Sequence, residues 1–253
     1  MTLETVRQQL SALRLATAAR ELPALISESR SATHLPWLSR LLERELDARK
    51  EKALQRRISS ARFPELKTLE SFDWSFNSQI NREQVDALAT LDFVSERRVA
   101  LFLGQPGTGK THLALALGLL AAQRGHRVFS TSAKRLSMEI ITARASHSLD
   151  TLFKRVLSSD LWILDDWGVV SLPQDVAEEI FDLLDRRRHS SALILTSNRD
   201  VSEWPQLFPD PILAAAAIDR LFDQPEIVSF TGYSYRLSGN SRAKAKLSKG
   251  ASA

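Results

Sequence analysis

Val99-Ala-Leu-Phe-Leu103 runs directly into Gly104-Gln105-Pro106-Gly107-Thr108-Gly109-Lys110-Thr111, and this junction decides the fold. The first five residues are a continuous apolar run, the pattern of a buried parallel strand. The next eight fit the phosphate-binding loop pattern at every fixed position. A helical pattern then leaves the loop, from Lys110 to Arg124. Glycines in such a loop let successive backbone N–H groups curl around phosphate oxygens, where a Cβ would obstruct the turn. The helix N-terminus adds favourable partial charge. Lys110 is expected to reach the β- and γ-phosphates, and the Thr111 hydroxyl to ligate Mg²⁺. His112, the next residue, is placed with the loop among the nucleotide contacts.

Fifty residues after Thr111, Leu161-Trp-Ile-Leu164 reads as a second buried strand, and it delivers Asp165-Asp166 to the phosphate loop. Asp165 is expected to hold Mg²⁺ through water, and Asp166 to polarise the attacking water. A further strand, Leu193–Thr196, ends in Ser197-Asn198-Arg199, where the Asn198 amide would lie beside the γ-phosphate and orient that water. Taken alone, two acids after a strand or a Thr-Ser-Asn run are ordinary loops; the phosphate loop gives them a shared purpose.

Around these motifs, strands at 99–103, 127–130, 161–164 and 193–196 alternate with helices at 110–124, from 133, and at 174–188. That alternation implies an α/β fold with a parallel sheet covered by helices on both faces. Glu83–Arg97 also reads as a helix. Before residue 98 no strand pattern occurs. Residues 4–30, and a second stretch from Leu38 to Ile58, read as amphipathic helices. Arg49, Lys50, Lys52, Arg56 and Arg57 crowd the second with Glu51 the one acid among them, and Phe63-Pro64 marks a break. The organisation expected is a small all-helical domain over 1–69, an ATPase-like domain over 70–236, and a small, polar, basic tail over 237–253.

Charge follows the same division. Residues 1–69 hold 13 Lys and Arg against 8 Asp and Glu, and residues 233–253 hold 5 against none, whereas residues 70–232 hold 16 against 22. The ends therefore carry the whole basic excess, a pattern suited to nucleic acid, around an acidic body. With no cysteine, the chain has no disulfide, thiol nucleophile or zinc–thiolate site. The five histidines, His34, His112, His126, His147 and His189, lack metal-ligand spacing. The longest apolar stretch, around Leu113–Ala122, is too short to span a bilayer, and a cytoplasmic protein without membrane partners is expected. Phe72, Asp73 and Trp74 stand where an adenine could stack, or where a linker packs. Arg186-Arg187-Arg188 would close its helix against the macrodipole, or line a groove facing DNA or a subunit.

The three motifs in this order resemble an AAA+ ATPase. Asp165-Asp-Trp-Gly168, the Leu-Thr-Ser-Asn run, Glu203-Trp204 with Phe208-Pro-Asp210, Ala217-Ile-Asp-Arg220-Leu and Gly232-Tyr-Ser-Tyr-Arg236 narrow the likeness. Together with Ala61–Asp73 and the N-terminal Leu-Ser-Ala-Leu-Arg-Leu segment, they are similar to the IstB-like transposition helper ATPases over about residues 3–236. DnaC-type helicase loaders share the core. The resemblance implies that Arg220 is an arginine finger serving a neighbouring subunit, and that Arg236 contacts the γ-phosphate in its own chain. It implies ATP and Mg²⁺ as cofactors, and a homo-oligomer, ring or spiral, assembled on double-stranded DNA. It further implies a transposase encoded by the same insertion sequence as partner. Two departures bear on rate. Asp166 stands where many AAA+ ATPases have Glu, and only 33 residues follow Arg220, too few for the usual helical lid. A helicase loader and a nucleotide-gated scaffold with slow hydrolysis therefore stay open as alternatives.

Overall fold

The computed structural model describes residues 2–29 and 35–236. The chain divides into two compact units between Arg56 and Arg57. The basic tail expected over 237–253 lies outside the described residues.

The first unit is helical: α1 (Leu3–Ala12), α2 (Ala16–Ser29) and the first part of α3 (Leu35–Ala61). Residues 4–30 thus form two helices, because Arg14 adopts φ 60° and turns the chain between them. The bend lets Val6, Leu10, Leu13, Ala19 and Leu42 bury together. This is a small core, and polar contacts supplement it. The Ser39 hydroxyl donates to Gln9 Oε1 at 3.0 Å, and Arg49 donates to the Leu13 carbonyl at 3.1 Å.

The second unit holds a five-stranded, all-parallel sheet. Its strands are β1 (Val99–Gly104), β2 (Val128–Ser132), β3 (Leu161–Trp167), β4 (Ala192–Ser197) and β5 (Glu226–Phe230), in the order β2-β3-β4-β1-β5. Each central strand buries both faces, so its alternate residues enter different cores. Leu101, Trp162, Leu164, Leu193 and Leu195 pack with α7 (Ala133–Ala145), α8 (Leu149–Leu157), α9 (Gln174–Arg187) and α10 (Pro211–Leu221). Ala100, Phe102, Leu161, Ile163 and Ile194 pack with α4 (Arg82–Leu88), α5 (Asp92–Ser95) and α6 (Lys110–Gln123). Helices therefore cover both faces, as the alternation implies.

Three differences from the expected elements have physical causes. The single helix expected over Glu83–Arg97 is two, α4 and α5. Leu91 at φ 71° turns the chain so that Leu88, Leu91, Phe93 and Val94 are all buried. The helical stretch from Ala133 breaks at His147, φ 51°, into α7 and α8. Finally, β5 gave no strand signal because it is an edge strand with only alternate residues, Val228 and Phe230, buried. Among the described residues no helix is long and apolar enough to cross a membrane.

Candidate functional site

The loop between β1 and α6 forms one wall of a cavity of about 400 Å³. Lys110 is almost wholly buried, and its Nζ donates to the carbonyls of Gly104 and Gln105 at 2.8 and 2.7 Å. Burial lowers its ammonium to about 8; Asp166 and Asp165 oppose that shift, and Arg236 adds to it. An ammonium so poorly solvated gains strongly from an added anion. Thr108 fixes the loop by donating its hydroxyl to the Gln105 carbonyl at 2.8 Å.

The acidic pair arrives on β3. The β3–β4 register shifts between Leu164 and Trp167, and Asp166 adopts φ 56°, so the two acids leave the ladder with β4 while Asp165 still pairs with Ser132 of β2. Asp165 Oδ1 accepts from the hydroxyls of Thr111 (2.8 Å) and Thr196 (2.5 Å). The Thr196 Oγ1 in turn accepts the Asp166 N–H at 3.0 Å, so one β4 hydroxyl anchors both acids. Burial and the neighbouring Asp165 raise the Asp166 carboxyl, while Arg236 and Lys110 act the other way. The Thr111 hydroxyl and Asp165 carboxylate are hard oxygen donors suited to Mg²⁺. Among the described residues no group of three His, Cys, Asp or Glu could hold a metal, so phosphates and water would complete its shell.

The opposite wall comes from two distant segments. Glu65, Lys67, Ser71, Phe72, Asp73, Phe76 and Asn77 line it from before β1, and Tyr235 and Arg236 from after β5. The Tyr235 N–H donates to the Gly107 carbonyl at 2.9 Å, and the Tyr235 ring meets Phe76 edge-on at 4.9 Å. Gly107 has φ 78°, and a Cβ there would lie 2.2 Å from Ser234 Oγ, so only glycine admits this approach. His112 Nε2 lies 3.2 Å from Ser71 Oγ and 3.1 Å from the Thr68 carbonyl, joining α6 to the 68–72 loop.

The structure therefore gathers Pro106, Gly107, Thr108, Gly109, Lys110, Thr111, His112, Asp166, Asn198 and Arg236 around one cavity, with Asp165 directly behind Thr111. Gly104 and Gln105 contribute the carbonyls that hold Lys110. Phe72 and Asp73 line the cavity, whereas Trp74 packs against the Phe72 ring and beneath Arg82. Arg220 is not among the lining residues. It lies in the last turn of α10, its Nε donating to Asp185 at 2.6 Å and Nη1 to Asp219 at 2.7 Å. Arg187 is buried, donating to the carbonyls of Arg97, Ser191 and Arg220, which removes it from any exposed basic groove. Sequence reasoning missed Asn77, Thr196 and Tyr235. Thr196 sat within the quoted Leu-Thr-Ser-Asn run, but Asn77 carries no local signal.

A family profile described as "IstB-like ATP binding protein" matches residues 5–243. The chain belongs to this family. It is 34% identical over 236 residues to an insertion sequence IS21 ATP-binding protein of Pseudomonas aeruginosa, covering 92% of this chain and 89% of that one. Among solved structures, AMPPCP-bound DnaA from Aquifex aeolicus matches with TM-score 0.54 and 25% identity over 66% of this chain. The chain spans about half the length of that DnaA. A DnaC helicase loader matches with TM-score 0.50 and 22% identity, over 59% of this chain and 87% of the loader, a likeness of fold. The family is ATP-binding, the fold is that of AAA+ P-loop proteins, and the cavity between the phosphate loop and Tyr235 is the candidate ATP site.

Proposed function

We propose that this protein is an AAA+ ATPase that assembles on double-stranded DNA and assists the transposase of its own insertion sequence, with ATP hydrolysis governing the assembly. One observation carries the reading most. A buried Lys110, a hydroxyl–carboxylate pair at Thr111 and Asp165, and a second acid at Asp166 converge on one cavity, whereas Arg220 stands outside it. In this reading Arg220, held on α10 away from its own cavity, is presented to a neighbouring protomer, whose site it completes.

In this reading the loop amides and Lys110 bind the triphosphate, and Thr111 with Asp165 would hold Mg²⁺, which would supply neutralisation of phosphate charge. Asp166 accepts a hydrogen bond from the attacking water and so polarises it, and Asn198 orients it. Arg236 lies near enough to Lys110 and Asp166 to affect both, and faces the γ-phosphate. Arg220 of each protomer serves the next one's site, a contribution worth roughly 10³–10⁵ in rate. Residues 1–69 serve as the DNA-binding and oligomerisation domain. Arg49, Lys52 and Arg56 fall on one side of α3 at helical spacing and are exposed, a stripe suited to phosphates.

Phosphate release measured with and without duplex DNA tests the proposal. Stimulation by DNA is expected, and neutralising about five phosphates predicts a log–log salt slope near −4.5 for binding. Salt-independent binding would contradict the basic-helix grip. The alternative, a nucleotide-gated scaffold, draws support from Asp166, whose side chain is one methylene shorter than the Glu that many AAA+ ATPases carry there. ATP-dependent DNA binding with no turnover would favour the scaffold.

A further inference from the structure

Asn77 is a buried polar side chain that touches the phosphate loop and the chain after β5 together. Its amide donates to the Thr108 carbonyl at 3.3 Å and to the Tyr233 carbonyl at 3.2 Å. Its Oδ1 accepts the Tyr233 N–H at 3.1 Å. Donor and acceptor sides are thus both engaged, and both poles of the Tyr233 peptide backbone are held by one side chain. Gly232, at φ 113°, is shaped to this contact: a Cβ there would lie 2.4 Å from Asn77 Oδ1. Two residues further on, Tyr235 makes its own bond to the Gly107 carbonyl, and Arg236 follows at the phosphate end of the cavity.

We infer that Asn77 is a positioning residue for ATP, one that staples the Tyr233–Arg236 strap to the phosphate loop and so sets Arg236 in register with the terminal phosphate. The physical reason lies in where the strap stands. β5 pairs with β1 only as far as Phe230, and Arg236 itself is exposed. A long cation on an exposed segment loses conformational entropy on engaging an anion. Fixing its backbone beforehand reduces that loss, which is preorganisation. The phosphate loop, the segment before β1 and the segment after β5 are thus tied at one amide. The inference rests on the reading of Arg236 as the γ-phosphate contact.

The test is a double-mutant cycle on the full chain, with ATP and ADP affinities measured by calorimetry and thermal melts run alongside. Asn77→Ala and Arg236→Ala are each expected to weaken ATP about tenfold while affecting ADP much less. The double variant should be no weaker than the weaker single one, because both act through one cation. Asn77→Asp is nearly isosteric and keeps the acceptor but removes the donor. It should reproduce the ATP defect, and it carries the cycle if Asn77→Ala fails to fold. Additive losses, an equal loss for ATP and ADP, or unchanged ATP binding in a folded Asn77 variant would each overturn the inference. An Arg236→Ala protein that binds ATP normally would overturn the reading of Arg236 and this inference with it, whereas a defect in Arg236→Ala alone would leave the reading standing and remove only Asn77.

Discussion

The two walls of the cavity are built in opposite ways. The phosphate wall is one contiguous run, Gly104–Thr111, delivered by a strand buried on both faces and continued by a helix buried along most of its length. The strap wall joins residues 65–77 to residues 233–236 through the Asn77 side-chain amide and the Phe76–Tyr235 aromatic pair, and Tyr235 ties it to Gly107 of the phosphate wall. A wall embedded in the core can hold a buried ammonium in place without ligand. A wall assembled from distant segments beside an edge strand leaves its cation, Arg236, exposed. The difference predicts that the phosphate wall determines whether nucleotide binds and reacts, and that the strap wall determines how tightly and which nucleotide.

Breaking the phosphate wall should have the largest effect. Lys110→Ala is expected to lower ATP affinity by about 100-fold and to abolish turnover, seen in calorimetry and phosphate release. A variant that still binds ATP near the parent affinity would move the site elsewhere. Asp165→Asn should separate the two functions of this wall. Turnover should fall by roughly 100-fold or more, with ATP affinity changed only a few-fold. Equal losses in both would mean that Asp165 serves the fold of the site, through Thr111 and Thr196, more than the chemistry.

Titration offers a gentler probe of the same wall. Lys110 is charged below about 8 in the ligand-free protein, and a bound triphosphate raises that value. ATP affinity should therefore be full below pH 8 and fall about tenfold per pH unit above it, until the bound-state value is reached. In Lys110→Arg the fall should vanish, since guanidinium stays charged. The smallest effect is expected on the strap wall. Tyr235→Ala, which removes the ring but keeps the bond to Gly107, should weaken ATP and ADP alike by about three- to tenfold. A loss as large as that of Lys110→Ala would erase the distinction between the walls.

The same contrast explains what could be read from sequence. The phosphate wall was legible because its chemistry demands particular residues at contiguous spacing, and the strands of the sheet core announced themselves as apolar runs. Asp165, Asp166 and Asn198 were legible at the ends of such strands. The strap wall was not, because Asn77 and Tyr233 are 156 positions apart and an asparagine has many uses. Arg236 was singled out by resemblance alone, and in the structure it lines the cavity. β5 was hidden by its half-exposed pattern, and the break inside Glu83–Arg97 depends on a left-handed Leu91 that no local composition demands. Arg187 misled in the other direction: within three consecutive arginines it looks solvated, yet its neighbours' carbonyls bury it.

The most direct test of the proposed mechanism is phosphate release on duplex DNA from a mixture of Lys110→Ala and Arg220→Ala proteins. Each alone should be inactive, the first for lack of a competent phosphate wall and the second for lack of a finger. In mixed assemblies, an intact site on an Arg220→Ala protomer can meet an intact finger on a Lys110→Ala neighbour, so the mixture should regain a measurable fraction of the parent rate. An Arg220→Ala protein that hydrolyses ATP at the parent rate on DNA, or a mixture as inactive as its components, would contradict completion of the site by a second protomer.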